Sequence, residues 1–434
     1  MSPLPPRRPS VRWELLERHL EEAEFLWTQW EHALWSPEHT LSSVAEGDEG
    51  RLRAHLDALV LGGRAVATRL LLPALASEEP SRVASATWAL LSAEDHDWRE
   101  PVLRHLEEGP EETQPGILRA LELLDRADLH ASLLKRLSTL APALQAGLLR
   151  VARIRHLDAS AALEQLDWEA DPAPHAEALR ALPFLPRTQT GDARLSRALR
   201  HAHPSVSTAA LETGLLLGSR EAWERARGSN ARAALLTLAV AGEAKDLAAL
   251  TARMKDPTAD GEVLWALGFS GRLAAADALL PLARDEAQGA LALASFAAIT
   301  GLPLAPPFLV DAPSDEAPAP EDLHEALPSP EVPPAKVDAQ AVETWWAQRR
   351  GGFTAEQRYL RGAPLTVQAL SRALETEPMR RRPSLAWEIA LRGGGSRVVE
   401  PRQWTQVQRA QAQSLDAQRR PEWLTRAGSR PQGR

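Results

Sequence analysis

The residues of this chain that could do chemistry are mostly arginine, tryptophan and carboxylate. Its densest positive stretch is Met379-Arg380-Arg381-Arg382-Pro383-Ser384. Guanidiniums in a row suit charge-assisted, bidentate bonds to phosphate or carboxylate, so Arg380, Arg381 and Arg382 are candidate partner-binding residues. The same stretch could instead fold back onto the acidic residues 311–343, or lie solvated. Trp345, Trp346, Phe353, Arg358 and Tyr359 gather rings and a cation in a second cluster. That composition suits an aromatic anchor for a partner or the small core of a C-terminal module.

Other constellations read as structural. His201 and His203 flank one residue just before Pro204, and on a helix that spacing points the rings apart, so no metal site is expected. Glu94, Asp95, His96 and Asp97 read as a turn, with Asp97 at the start of a helix near Trp98. The acid pairs Glu78-Glu79, Glu107-Glu108 and Glu111-Glu112 read as solvated helix ends. No phosphate-binding glycine loop, nucleophile elbow or HExxH is present. The chain has no cysteine, which excludes disulfides, thiolate zinc sites and cysteine nucleophiles together. No catalytic residue, cofactor or metal ligand is assigned, and the expectation is a protein that is not an enzyme.

The elements that must carry these residues are helices. Leucine and alanine dominate a 44% hydrophobic composition, with one tyrosine and six phenylalanines. That balance favours helix over sheet. The apolar pattern repeats: Leu235, Leu238, Gly242, Leu250 and Asp256 recur as Leu264, Leu267, Gly271, Leu279 and Asp285. Leu118, Leu121, Leu124, Asp128 and Leu133 likewise recur as Leu148, Val151, Ile154, Asp158 and Leu163. Each unit is a helix, a stop and a second helix that cannot hide its apolar face alone, so neighbours must stack. The expected fold is all-α, a HEAT-like α-solenoid of stacked helical pairs with a small helical C-terminal module.

The expected organisation is a tail and amphipathic helix over 1–36, with Ser10 as cap and Trp27, Trp30 and Trp35 in packing roles. A HEAT-like array follows over 37–304, weakest between Asp171 and Gly191, where prolines cluster. A Pro/acidic linker or strap covers 305–340, and a helical module with a basic, partly ordered tail covers 341–434. No apolar segment follows the basic start MSPLPPRRPS and no apolar run is long enough to span a bilayer, so a cytoplasmic protein without a membrane partner is expected. The net charge of −8 argues against general nucleic-acid binding.

Three segments carry a family resemblance: EGRLRAHLDALVLGG at 49–63, ASFAAITGLPL at 294–304, and WWxxxxGGFTAEQRYLRGAP from Trp345 to Pro364. On these the chain resembles uncharacterised proteobacterial proteins with HEAT-like repeats, whose genes are often found in or near type VI secretion clusters. The resemblance implies a fold and a setting, and no catalytic residue. The expected function is a protein-interaction scaffold or adaptor for a secretion component or an effector. Two alternatives are a DNA-glycosylase-like nucleic-acid binder, suggested by Arg150, Arg153 and Arg155 on one helix, and an immunity-type protein that neutralises a toxin.

Overall fold

The structure is a computed structural model that describes residues 12–94, 97–185, 192–254, 261–311, 327–395 and 399–416. Apolar residues at spacings of three and four build ten long helices, labelled in chain order. They are α1 (Trp13–Ala33), α2 (Gly50–Leu61), α3 (Pro80–Ser92), α4 (Gln114–Leu123) and α5 (Pro142–Ile154). They continue as α6 (Pro172–Ala181), α7 (Pro204–Leu216), α8 (Arg232–Ala241), α9 (Gly261–Ser270) and α10 (Gly289–Thr300). Proline opens α3, α5, α6 and α7, where its missing N–H has no helical partner to lose. Ser10 lies outside the described residues.

From α3 to α10 each long helix packs on the next, and α1 packs on both α2 and α3. Further helices alternate with them. Ala244–Arg253 touches both α8 and α9, and Leu273–Leu279 touches both α9 and α10. The repeated leucines sit where the period puts them: Leu235, Leu238 and Leu250, and their counterparts Leu264, Leu267 and Leu279, are all buried. So are Leu118, Leu121, Leu124 and Leu133 with Leu148, Val151, Ile154 and Leu163. Asp256 lies outside the described residues. The row runs through the proline-rich weak point, because α6 packs on α5 and on α7.

Beyond the row, β1 (Leu309–Asp311) pairs antiparallel with β2 (Ala335–Val337), Leu309 opposite Val337. The centre of the expected acidic strap, 312–326, lies outside the described residues. Then come α11 (Ala339–Arg349), a short pairing of β3 (Tyr359–Leu360) with β4 (Ala363–Pro364), α12 (Val367–Thr376), α13 (Arg382–Arg392) and α14 (Thr405–Asp416). The described residues are thus all-α apart from these two minimal ladders. No helix among them is long and apolar enough to cross a membrane.

One hydrophobic core runs through both parts of the chain. Trp404, from the polar stretch expected to be partly ordered, is 4% exposed. It stacks on Trp30 at 4.6 Å and stands edge-on to Trp27 and Trp88. Trp423 lies outside the described residues.

Candidate functional site

A helix ends in carbonyls that lack intrahelical partners and carry partial negative charge. The ends of α8, α9 and α10 are closed by residues from beyond 355. Arg392 donates to Val240 O at 2.8 Å. Arg358 donates to Ser270 O at 2.8 Å and to Phe269 O at 3.0 Å. The Tyr359 amide donates to Gly271 O (2.7 Å), and the Arg361 and Gly362 amides donate to Ala298 O and Ile299 O (2.8 and 2.9 Å). Glu388 joins Arg358 and Arg392 in ion pairs, all three buried. Burial alone would raise the Glu388 carboxyl, but the two guanidiniums outweigh it and hold the group below its ordinary range.

This capping absorbs most of the residues singled out from sequence. Trp346 is 3% exposed, donates to Asp277 at 3.1 Å and stands edge-on to Phe296. Trp345 and Phe353 are half-buried beside it, and Phe353 bridges Trp346 (5.1 Å) to Tyr359 (4.6 Å). Tyr359 is buried, and its hydroxyl accepts the Thr354 amide at 2.8 Å.

The basic triplet, the densest positive stretch of the sequence, is inside the protein. Arg380 donates to Trp35 O (3.2 Å) and Ser329 O (2.9 Å) and pairs with Glu331 (2.9 Å). That pair joins the stretch to the acidic segment at one point, as the fold-back alternative had it. Arg381 lies over Phe269 (4.2 Å) and Trp265 (4.9 Å) and pairs with Glu377. Arg382 donates to Leu374 O at 2.6 Å and to Gln408. Burial lowers Arg381 to about 10 and Arg382 to about 9. The physical reason is local: the triplet forms the turn Met379–Arg381 and the first residue of α13, so it is wrapped by carbonyls and rings.

The arginines of α5 are matched as well. Arg150 pairs with Glu122 (2.9 Å), and Arg153 approaches Glu177 (3.8 Å) and Glu400 (3.9 Å). Asp97 accepts the Arg99 amide (3.1 Å) at the start of the helix Arg99–Glu108, as its sequence position predicts. Asp95 and His96 lie outside the described residues.

The ends of α3, α4 and α5 are more open. A cavity of about 820 Å³ lies there, walled by Trp88, Trp98 and Trp404 and by Arg53, Arg99, Arg126 and Arg155. Arg126 caps α3 through Leu91 O at 2.8 Å, and Arg99 is held by Asp97 and Asp128. Arg155 pairs with Asp125, yet its Nε is buried without a hydrogen-bond partner. Arg53 donates to Gln406 at 2.9 Å, lies over the Trp404 ring at 5.9 Å, and attracts the nearby Glu49 carboxylate. Sequence reading missed this cleft because Arg53 and Trp404 lie on opposite ends of the chain. The one available signal was a tryptophan in a polar tail. Comparison of the chain with protein-family models, with curated proteins and with solved structures finds no match.

Proposed function

We propose that this chain is a non-enzymatic interaction scaffold, a HEAT-like α-solenoid that receives a segment of a protein partner in the cleft between Trp88, Trp98 and Trp404. The cleft itself carries the reading. Tryptophan and arginine are the residue types that dominate interface energy, and here they stand on helix ends fixed by a common core. Arg53 brings a guanidinium whose hydrogen bond goes to a neutral amide, Gln406, and the Arg155 Nε is a buried donor without an acceptor. Both suit a carboxylate on the incoming segment. The family resemblance suggests a type VI secretion component or effector as that partner, in the cytoplasm. A toxin held by an immunity-type protein would use the same surface. The nucleic-acid alternative draws less support, since Arg150 and Arg153 face Glu122, Glu177 and Glu400.

The test is affinity capture from native lysate with the full chain beside Trp98→Ala and Arg53→Glu. Recovery of a secretion protein or toxin that falls about tenfold or more in both variants supports the cleft. Capture unchanged by either variant rejects the cleft, and salt-sensitive nucleic acid in place of protein rejects the scaffold.

A further inference from the structure

Away from the cleft, the structure brings together three side chains that no sequence motif joins. Glu169 lies in the turn before α6, His175 in the first turn of α6, and His201 in the irregular turn before α7. One ligand atom from each lies within 4.8 Å of the other two. His175 is 3% exposed, and its Nε2 is buried with no hydrogen-bond partner. Its ring stands edge-on to Trp168 at 5.6 Å and to His201 at 5.5 Å. A buried polar nitrogen left without a partner is uncommon and asks for one.

The local structure places these groups. Asp171 caps α6 through the Ala173 amide (2.8 Å), which sets His175 one turn in. Asp167 accepts the Glu169 amide (3.2 Å), which fixes the turn carrying that carboxylate. Trp168 is anchored by its indole N–H on Leu163 O (3.1 Å) and covered by Arg194 (4.1 Å). His203 does not join the group: its ring bonds Ser205 (2.8 Å), and its amide donates to His201 Nδ1 (3.0 Å). The HxH spacing is therefore not the site. His201 finds its partners across the row instead.

We propose that Glu169, His175 and His201 form a binding site for a single divalent transition ion of the zinc type, with solvent in the fourth position. Two imidazoles and one carboxylate are a nitrogen/oxygen donor set that zinc and its neighbours accept, while magnesium and calcium favour oxygen alone. Metal–donor bonds of about 2.0–2.1 Å set tetrahedral donors about 3.3 Å apart, so the three groups draw inward by roughly 1.5 Å at most. Glu169 is exposed and His201 half-buried, so side-chain rotation supplies that movement. His201 Nδ1 accepts the His203 amide, so a metal bond at that nitrogen would replace one backbone hydrogen bond. His201 also borders an open surface hollow with Ser196, Arg197 and Arg200, which gives the fourth position its solvent.

The ion ties the start of α6 to the start of α7, across the stretch where the helical pattern of the sequence is weakest. It binds the folded arrangement and not the unfolded chain, so it stabilises the row by mass action. The test uses the full, untagged chain stripped with EDTA. Zn2+ is titrated by calorimetry and by thermal melting, with Mg2+ as control. One equivalent of Zn2+ is expected to bind and raise the melting midpoint, with Mg2+ inert. Glu169→Gln and His201→Gln are each expected to weaken binding about tenfold or more with the far-UV spectrum unchanged. Glu169 is exposed, so its variant keeps the test valid if His175→Ala does not fold. Co2+ in place of Zn2+ should give visible bands of a four-coordinate nitrogen/oxygen site that Glu169→Gln abolishes. Absence of Zn2+ binding, binding that both variants leave unchanged, or equal binding of Mg2+ overturns the assignment.

Discussion

Two buried glutamates titrate in opposite directions, and distance decides which way. Glu122 receives Arg119 and Arg150 at 2.9 Å each. Burial alone would raise its carboxyl, but Arg119, Arg150 and Arg402 outweigh it and hold the group at about 2. A depressed folded pKa gives stability that is full above the ordinary value near 4.5 and is lost as pH falls through about 2. The shift corresponds to about 3 kcal/mol. Urea unfolding should therefore weaken between about pH 4.5 and 2, with a flatter slope in Glu122→Gln. At neutral pH that variant should lose about 3–5 kcal/mol, because Arg150 loses its carboxylate and Arg119 keeps only Glu31. Glu400 has Arg153 only at 3.9 Å, and burial raises its carboxyl despite Arg153 and Arg402. Its contribution is present at low pH and lost as pH rises through the folded value, so Glu400→Gln should be neutral or stabilising at pH 8. Of these pairings only Arg119–Glu122, three positions apart on α4, was legible in the sequence. Arg119 meets Glu31 across 88 positions and the Arg402 carbonyl across 283. Spacing rules reach only a few residues along one helix.

At the scale of elements the sequence was far more legible, because helix periodicity is local. The two copies of the leucine pattern fall on α8 and α9 with the short helices that follow them, and the glycines fall at the helix ends. What periodicity could not show is a second duty of those glycines. Gly271 and Gly301 adopt positive φ (66° and 76°) where the chain around β3 crosses the row. A Cβ would stand 2.6 Å from Tyr359 O at the first and 2.5 Å from Arg361 O at the second. Gly301→Ala should cost about 1–3 kcal/mol and raise amide exchange at residues 361 and 362, whose hydrogen bonds to α10 depend on that approach. Leu264 and Leu279 test the row itself, since both are fully buried between neighbouring helices. Leu264→Asp should cost about 4 kcal/mol or more and expose adjacent helices together in hydrogen exchange. Loss of protection confined to α9 would mean that the helices do not stabilise one another in series.

For the whole molecule the question is whether residues beyond 341 form a module or complete the row. Their sequence looks modular, because a proline- and acid-rich stretch precedes them and the apolar period stops. Their chemistry is not modular. Arg358 and Arg392 serve carbonyls of α9 and α8, Trp387 donates to Thr237 at 3.0 Å, Thr405 bonds Glu49, and Trp404 stacks on Trp30. A chain ending at residue 354 would return those carbonyls and rings to water, with each helix end losing the guanidinium or amide that closes it. It should melt at lower temperature with a broader transition and bind a hydrophobic dye, although every repeated leucine is still present. A truncated chain that melted like the full one would show that the caps are decoration and the C-terminal part a separable domain. The expected result has a consequence for function. The cleft owes one wall to Trp404 and its Arg53 contact to Gln406, so truncation would erase the proposed partner surface and the fold beneath it together. Point changes at Trp98 and Arg53 separate the two, because they alter the wall and leave every inter-helix cap in place.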